Sequence, residues 1–219
     1  MDAMSALLAD IRNNIRADNE KEIMRMEASY LELCGGYLIC WGEYDRGRVL
    51  LNRAMKIARE HSFSTIYIHS LSNMGHYFLQ TDNAEPLMRT AREMLNAARD
   101  DEREKYMGIA LRYIGVAFQI MRDYEKSEKV LRRSIAIFEE QALLGKNYTL
   151  SMLAAECYIG ENYHWQGDFA KAVEHFNHCI SVCEEKGLFW GSSHFRAHLA
   201  DVAFDLGDME MMFENIYRG

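Results

Sequence analysis

Proline is almost absent from this sequence, since Pro86 is the single example among 219 residues. Because proline ends helices and is common in the loops between them, its scarcity favours long helices joined by short connections. The five cysteines are odd in number and lack C-x-x-C spacing, which argues against a disulfide framework or a zinc module. They are typical of reduced thiols that pack as small apolar side chains.

The sequence also lacks a run of about 18 apolar residues, which a membrane-spanning helix needs. Its first 20 residues include Asp2, Asp10 and Arg12, where a signal peptide requires an uninterrupted apolar stretch. We therefore expect no membrane partner and a cytoplasmic location. The 33 acidic and 25 basic residues give a net charge of −8, which opposes attraction to phosphate, so we expect no direct nucleic-acid binding.

What the sequence does contain is an internal repeat. An anchor residue, glycine in four copies and alanine in the fifth, recurs at intervals of 40, 40, 45 and 40 residues: Gly35, Gly75, Gly115, Gly160 and Ala200. Around Gly160 the frame consists of one apolar residue before the anchor and aromatic or apolar residues after it: Ile159, Tyr163, Phe169, Ala172 and Phe176.

Each copy predicts two antiparallel helices, because its apolar residues form one stripe per helix and the small anchor permits close approach of the second helix. The turns contain glycines suited to positive φ and residues able to cap the next helix, namely Gly42, Gly167, Gly207, Asp82, Asn83, Asp123, Asp168 and Asp208. The frame predicts a single domain over 1–219, with a leading helix at 1–20 and repeats near 24–60, 64–98, 104–140, 149–185 and 192–219.

Two connections between repeats carry further predictions. After Gly187, a left-handed helix stop, either Ser192 or Ser193 is predicted to cap the next helix. The longer interval holds Leu143 and Leu144, which we expect to extend the core, with an exposed contact loop as the alternative.

The frame resembles the tetratricopeptide repeat (TPR) family, whose signature combines Leu-Gly, a following Tyr and a later Ala-x-x-x-Phe. The consensus tryptophan is missing, and the period of 40 exceeds the usual 34. Long repeats of this kind are similar to those of LuxR-type activators of the maltose-regulon class, kinesin light chain and Pins-type scaffolds. The resemblance implies an all-α, right-handed superhelical solenoid of antiparallel helix pairs.

In such solenoids the first helices of the repeats line a concave binding groove. Its predicted centre consists of Asn73, His76, Arg112, Tyr113, Gln119, Tyr158 and Glu161. Residues at the same offset from each anchor form rows along the groove. Other members of these rows include Glu32, Gly36, Cys157, His164, His198, Asp201 and Phe204. Because the rows hold one arginine and no lysine, the carboxylate clamp of chaperone-binding relatives is not expected.

Histidines occur at spacings that metal ligands use, with cysteines near one of them, at two places in the sequence. His175 and His178 lie near Cys179 and Cys183, and His194 and His198 form a second helical pair. Neither place offers a recognisable set of four ligands, and no catalytic motif is present. We expect no metal, no cofactor and no enzymatic activity.

These observations predict a noncatalytic scaffold that binds a protein or peptide, as the sensory or regulatory region of a bacterial transcriptional regulator. One alternative is a sensor of a small ligand or signalling peptide. Another is self-assembly through the apolar ends, where Met212 and Ile216 belong to the last helix. The pattern also indicates a segment of a longer protein.

Overall fold

The computed structural model describes residues 19–100 and 103–219. These residues form ten α-helices and no β-strand. The helices are α1 (Glu20–Cys40), α2 (Tyr44–Glu60), α3 (Ser64–Gln80), α4 (Ala84–Asp100), α5 (Glu104–Ile120), α6 (Tyr124–Leu143), α7 (Thr149–Trp165), α8 (Phe169–Glu185), α9 (Phe189–Leu206) and α10 (Met209–Arg218). The leading helix predicted at 1–20 lies outside the described residues, apart from its last two positions.

Short turns separate the two helices of each pair. Gly42, Gly167 and Gly207 take φ angles of +79°, +79° and +75°, as the turns require. The Asp123 side chain accepts a hydrogen bond from the backbone N–H of Lys126 and so caps α6. Asp168 and Asp208 cap α8 and α10 in the same way. Asp82 instead occupies the left-handed position itself, at a φ of +50°.

The last helix pair begins earlier than the frame predicts. Gly187, at a φ of +66°, ends α8, and Leu188 N–H bonds to the carbonyl of Cys183 at 2.8 Å, so the chain reverses at once. Helix α9 therefore starts at Phe189, and the predicted caps Ser192 and Ser193 lie inside it. The prediction of a serine cap was wrong because the reversal at Gly187 leaves no room for a longer turn.

The expectation that Leu143 and Leu144 extend the core was also wrong. Helix α6 continues to Leu143 before Gly145 turns the chain at a φ of +77°. The two leucines are 88% and 70% exposed. The extra residues lengthen a helix end beyond the packed region, so their side chains face solvent.

Small residues at the anchors allow the paired helices to touch. A methyl group added at Gly115 would lie 2.6 Å from Leu131 Cγ, and one at Gly160 would lie 2.9 Å from Phe176 Cε1. Leu131 and Phe176 are fully buried. The frame therefore identified positions at which first and second helices approach closely.

The helices group into two compact units that divide in the first turn of α5, one ending at Tyr106 and the other beginning at Met107. In the first unit α1 packs against α2 and α3, and in the second unit α7 packs against α8 and α9. First helices of successive repeats therefore lie side by side within each unit. The single domain over 1–219 and the handedness of a superhelix stay predictions.

No helix in the described parts of the chain is both long and apolar enough to cross a membrane.

Candidate functional site

In the first unit, the predicted groove residue Asn73 joins two first helices. Its Nδ2 on α3 donates a hydrogen bond of 2.7 Å to Glu32 Oε1 on α1. Gly36 makes room for this contact, since a methyl group there would lie 2.7 Å from Asn73 Nδ2. Burial raises the pKa of Glu32, although the bond from Asn73 acts in the opposite direction. His76 is half-buried one turn further along α3.

In the second unit, Arg112 and Tyr113 of α5 lie largely within the packing. The guanidinium carbon of Arg112 lies 5.5 Å from the centre of the Tyr113 ring, within cation–π range. Arg112 Nη1 lies 3.5 Å from the carbonyl oxygen of Ser151 on α7. Tyr113 is only 4% exposed, so its ring contributes to the core in this structure.

A row of polar side chains then links three first helices. Gln119 on α5 donates a 3.2 Å hydrogen bond to the carbonyl of Tyr158 on α7, and its side chain also hydrogen-bonds to Glu161. Glu161 Oε1 in turn lies 3.5 Å from His198 Nε2 on α9. Three of the predicted site residues, Gln119, Tyr158 and Glu161, are therefore brought together.

Burial disfavours charge at both ends of the contact between Glu161 and His198. Burial, with a smaller contribution from nearby Asp201, raises the pKa of Glu161 to about 7. Burial and the neighbouring histidines lower the pKa of His198 to about 4. The imidazole is therefore neutral at neutral pH, and this contact is not an ion pair.

A pocket of about 360 Å³ lies between α7 and α9, next to this row. Trp165 and Phe204 border it and are 68% and 63% exposed. His164 Nε2 lies 2.8 Å from Asp205 Oδ2, and the imidazole stacks on Trp165. The pocket is lined by Glu161, His164, Trp165, His198, Asp201, Phe204 and Asp205.

The predicted groove rows include some of the residues that line this pocket and omit others. Five of its residues belong to the predicted groove rows, although only Glu161 was assigned to the groove's centre. Trp165 and Asp205 were missed, yet each follows its anchor by five residues, so one further row would have included both. The predicted Tyr113 and Gln119 are buried and present little surface.

The histidine-rich segment of α8 is used for packing. His175 Nδ1 lies 2.6 Å from Glu156 Oε1, and the ring stacks on Tyr163. The hydrogen bond to His175 lowers the pKa of Glu156. Cys179 and Cys183 lie fully buried in the apolar cluster around Phe176.

The other histidine pair has a neighbour that sequence reasoning did not supply. Among the described residues, Cys157 of α7 joins His194 and His198 of α9, with their potential ligand atoms all within 4.8 Å of one another. Spacing within one helix reveals the histidine pair but not the cysteine that packing brings to it.

No protein-family model matches the chain, and no curated protein matches it in sequence. Solved structures do match it in fold. A Rap protein complexed with Competence and Sporulation Factor aligns with a TM-score of 0.71 and 16% identity, over 98% of this chain and 68% of that one. BtubC (BKLC) from P. vanneervenii aligns with a TM-score of 0.70 and 14% identity, over 99% of this chain and 87% of that one.

A third structure is a STAND-class signal transduction ATPase with a tetratricopeptide repeat sensor, from Pyrococcus horikoshii. It aligns with a TM-score of 0.65 and 12% identity, over 96% of this chain and 31% of that one. The fold is thus a TPR-like helical repeat solenoid, which confirms the all-α repeat prediction.

Proposed function

We propose that this chain is a noncatalytic TPR-like scaffold that binds a protein or peptide segment in the pocket between α7 and α9. The observation that carries the proposal is the pocket itself, in which two exposed aromatic side chains, Trp165 and Phe204, stand beside carboxylates. Tryptophan is among the residue types that most often dominate binding energy at protein interfaces, once a ligand has covered it.

The chemistry of the lining indicates the kind of segment it accepts. Asp201 and Asp205 place acidic groups beside the aromatic rings of Trp165 and Phe204. A lysine or arginine pairs with the carboxylates and also interacts favourably with an aromatic face. The ligand is therefore a basic segment that carries an apolar side chain next to its cation.

The fold comparison supports a binding role. The Rap protein of similar fold was solved in complex with Competence and Sporulation Factor, and the STAND-class ATPase uses its tetratricopeptide repeats as a sensor. From the resemblance of the repeats to those of LuxR-type activators, and not from these structures, we further propose that the chain belongs to the sensory or regulatory part of a bacterial transcriptional regulator and acts in the cytoplasm.

The test begins with selection of a phage-displayed library of random peptides on the immobilised chain. We expect enriched peptides to combine Lys or Arg with an aromatic or aliphatic residue. Calorimetric titration of one synthesised peptide should then show that the double variant Trp165→Ala/Phe204→Ala weakens binding by about tenfold or more, the loss of roughly 1.4 kcal/mol.

Trp41→Ala is the matched control, because Trp41 is 70% exposed but lies on the unit that ends at Tyr106. It should leave the affinity unchanged, while Asp201→Asn with Asp205→Asn should reduce it. Enrichment of acidic peptides, or equal affinity of the pocket variant and the unaltered chain, would contradict the proposal.

Exposed apolar side chains on α10 favour self-association as a second candidate function. Phe213, Ile216 and Tyr217 are 50%, 55% and 85% exposed. Light scattering after gel filtration should show a mass that rises with concentration and returns to that of one chain in Met212→Glu/Ile216→Glu. A constant single-chain mass of the unaltered protein would remove this candidate.

A further inference from the structure

Three potential metal ligands converge at the packed faces of α7 and α9. His194 and His198 are four residues apart on α9, so their rings project from the same face of the helix. Cys157 reaches this face from α7, and the three potential ligand atoms lie within 4.8 Å of one another. The group joins two different helices.

This donor set has the chemistry of a zinc site. The set consists of one cysteine sulfur and two imidazole nitrogens. Such ligands bind Zn²⁺ in preference to Mg²⁺ or Ca²⁺, which take oxygen ligands. Zinc binds sulfur at about 2.3 Å and imidazole nitrogen at about 2.0 Å, so ligand atoms around one ion lie roughly 3 to 4 Å apart. The 4.8 Å within which the three ligand atoms lie is close to the separations that one ion requires.

The surroundings already orient the imidazoles. The His198 ring stacks on Phe176 at a centroid distance of 5.5 Å, and the His194 ring stacks on Trp190 at 5.9 Å. Glu161 Oε1 lies 3.5 Å from His198 Nε2, and a carboxylate beside a metal-binding histidine commonly holds its ring in place. His194 is exposed, which gives an ion access from solvent.

We propose that Cys157, His194 and His198 bind one Zn²⁺ ion per chain, with the fourth coordination position open. Binding forms a zinc–sulfur bond while the thiol proton of Cys157 passes to solvent, and no electron is transferred. The site departs from the metal-free chain that the sequence predicts. His198 also lines the peptide pocket, but Cys157 and His194 do not, so variants of these two residues test zinc binding separately from peptide binding.

The experiment uses the purified chain after treatment with a chelator. Calorimetric titration with Zn²⁺ should give one site per chain. Titration with Co²⁺ should produce a thiolate-to-cobalt charge-transfer band, which reports the sulfur ligand directly. Cys157→Ser should abolish the band, and His194→Ala should weaken zinc binding by about tenfold or more.

Matched variants separate this site from adventitious binding. Cys40→Ser and His178→Ala change an exposed cysteine and an exposed histidine outside the group, and should leave stoichiometry, affinity and band unchanged. Because His194 is exposed, its variant should keep the helicity of the parent by circular dichroism. Zinc affinity unchanged in His194→Ala, a cobalt band that survives in Cys157→Ser, or an absence of binding would each overturn the proposal.

Discussion

Polar residues predicted to face a ligand also hold neighbouring first helices together. Asn73 bonds to Glu32 within the first unit, and Gln119 bonds to Glu161 within the second. Their positions were predictable because the repeat frame fixes which side of a first helix each residue occupies. Their hydrogen bonds could not be predicted, because sequence spacing does not show which side chain will reach the adjacent helix.

Replacement of Glu32 by glutamine tests the cost of this buried carboxyl group. Because burial raises its pKa above the ordinary 4.5, ionisation disfavours the folded state. The stability associated with Glu32 is therefore fully present at acidic pH and falls as pH rises through the raised pKa. Glu32→Gln should be similar to the unaltered chain near pH 4 and more stable than it near pH 8, as measured by thermal unfolding.

Glu60→Gln serves as the control, since Glu60 is an exposed carboxylate at the end of α2. Its thermal midpoint should show no comparable gain as pH rises. A Glu32→Gln protein that is less stable than the unaltered chain at neutral pH would show that the bond to Asn73 outweighs the burial of charge.

At the scale of helices, close packing depends on the anchors. Gly115 lies against Leu131, where an added methyl group would come within 2.6 Å of a buried side chain. The anchors were visible in the sequence because one small residue recurs at one position of the frame. The exposure of Leu143 and the start of α9 at Phe189 could not be predicted from the sequence. Hydrophobicity alone does not show where packing ends or how tightly a turn closes.

Gly115→Val should destabilise the protein by about 1 to 3 kcal/mol through overpacking against Leu131. Urea titrations of the variant and of the unaltered chain measure this loss as the difference between their free energies of unfolding. Ala197→Val, at an exposed position of α9, introduces the same side chain without a buried neighbour and should cost much less. Equal losses in the two variants would mean that the anchor does not limit helix approach.

At the scale of the whole molecule, the repeat pattern predicted the class of fold, and five residues of the proposed pocket belong to its predicted groove rows. It did not single out the pocket between α7 and α9, because that required knowing which groove residues remain exposed. Trp165 and Phe204 remain so, whereas Tyr113 is buried by its neighbours. It also could not place Cys157 beside His194 and His198, since that group depends on contact between two helices.

Contact between Trp165 and a basic peptide should change the fluorescence of this indole, which gives the sharpest test of the proposed function. The chain has three tryptophans, so Trp41→Phe/Trp190→Phe leaves Trp165 as the single reporter. Titration with a peptide that calorimetry shows to bind should shift and saturate its emission, because the ligand removes water from the indole. Emission that stays constant while calorimetry shows full binding would place the ligand away from Trp165 and rule out binding in this pocket.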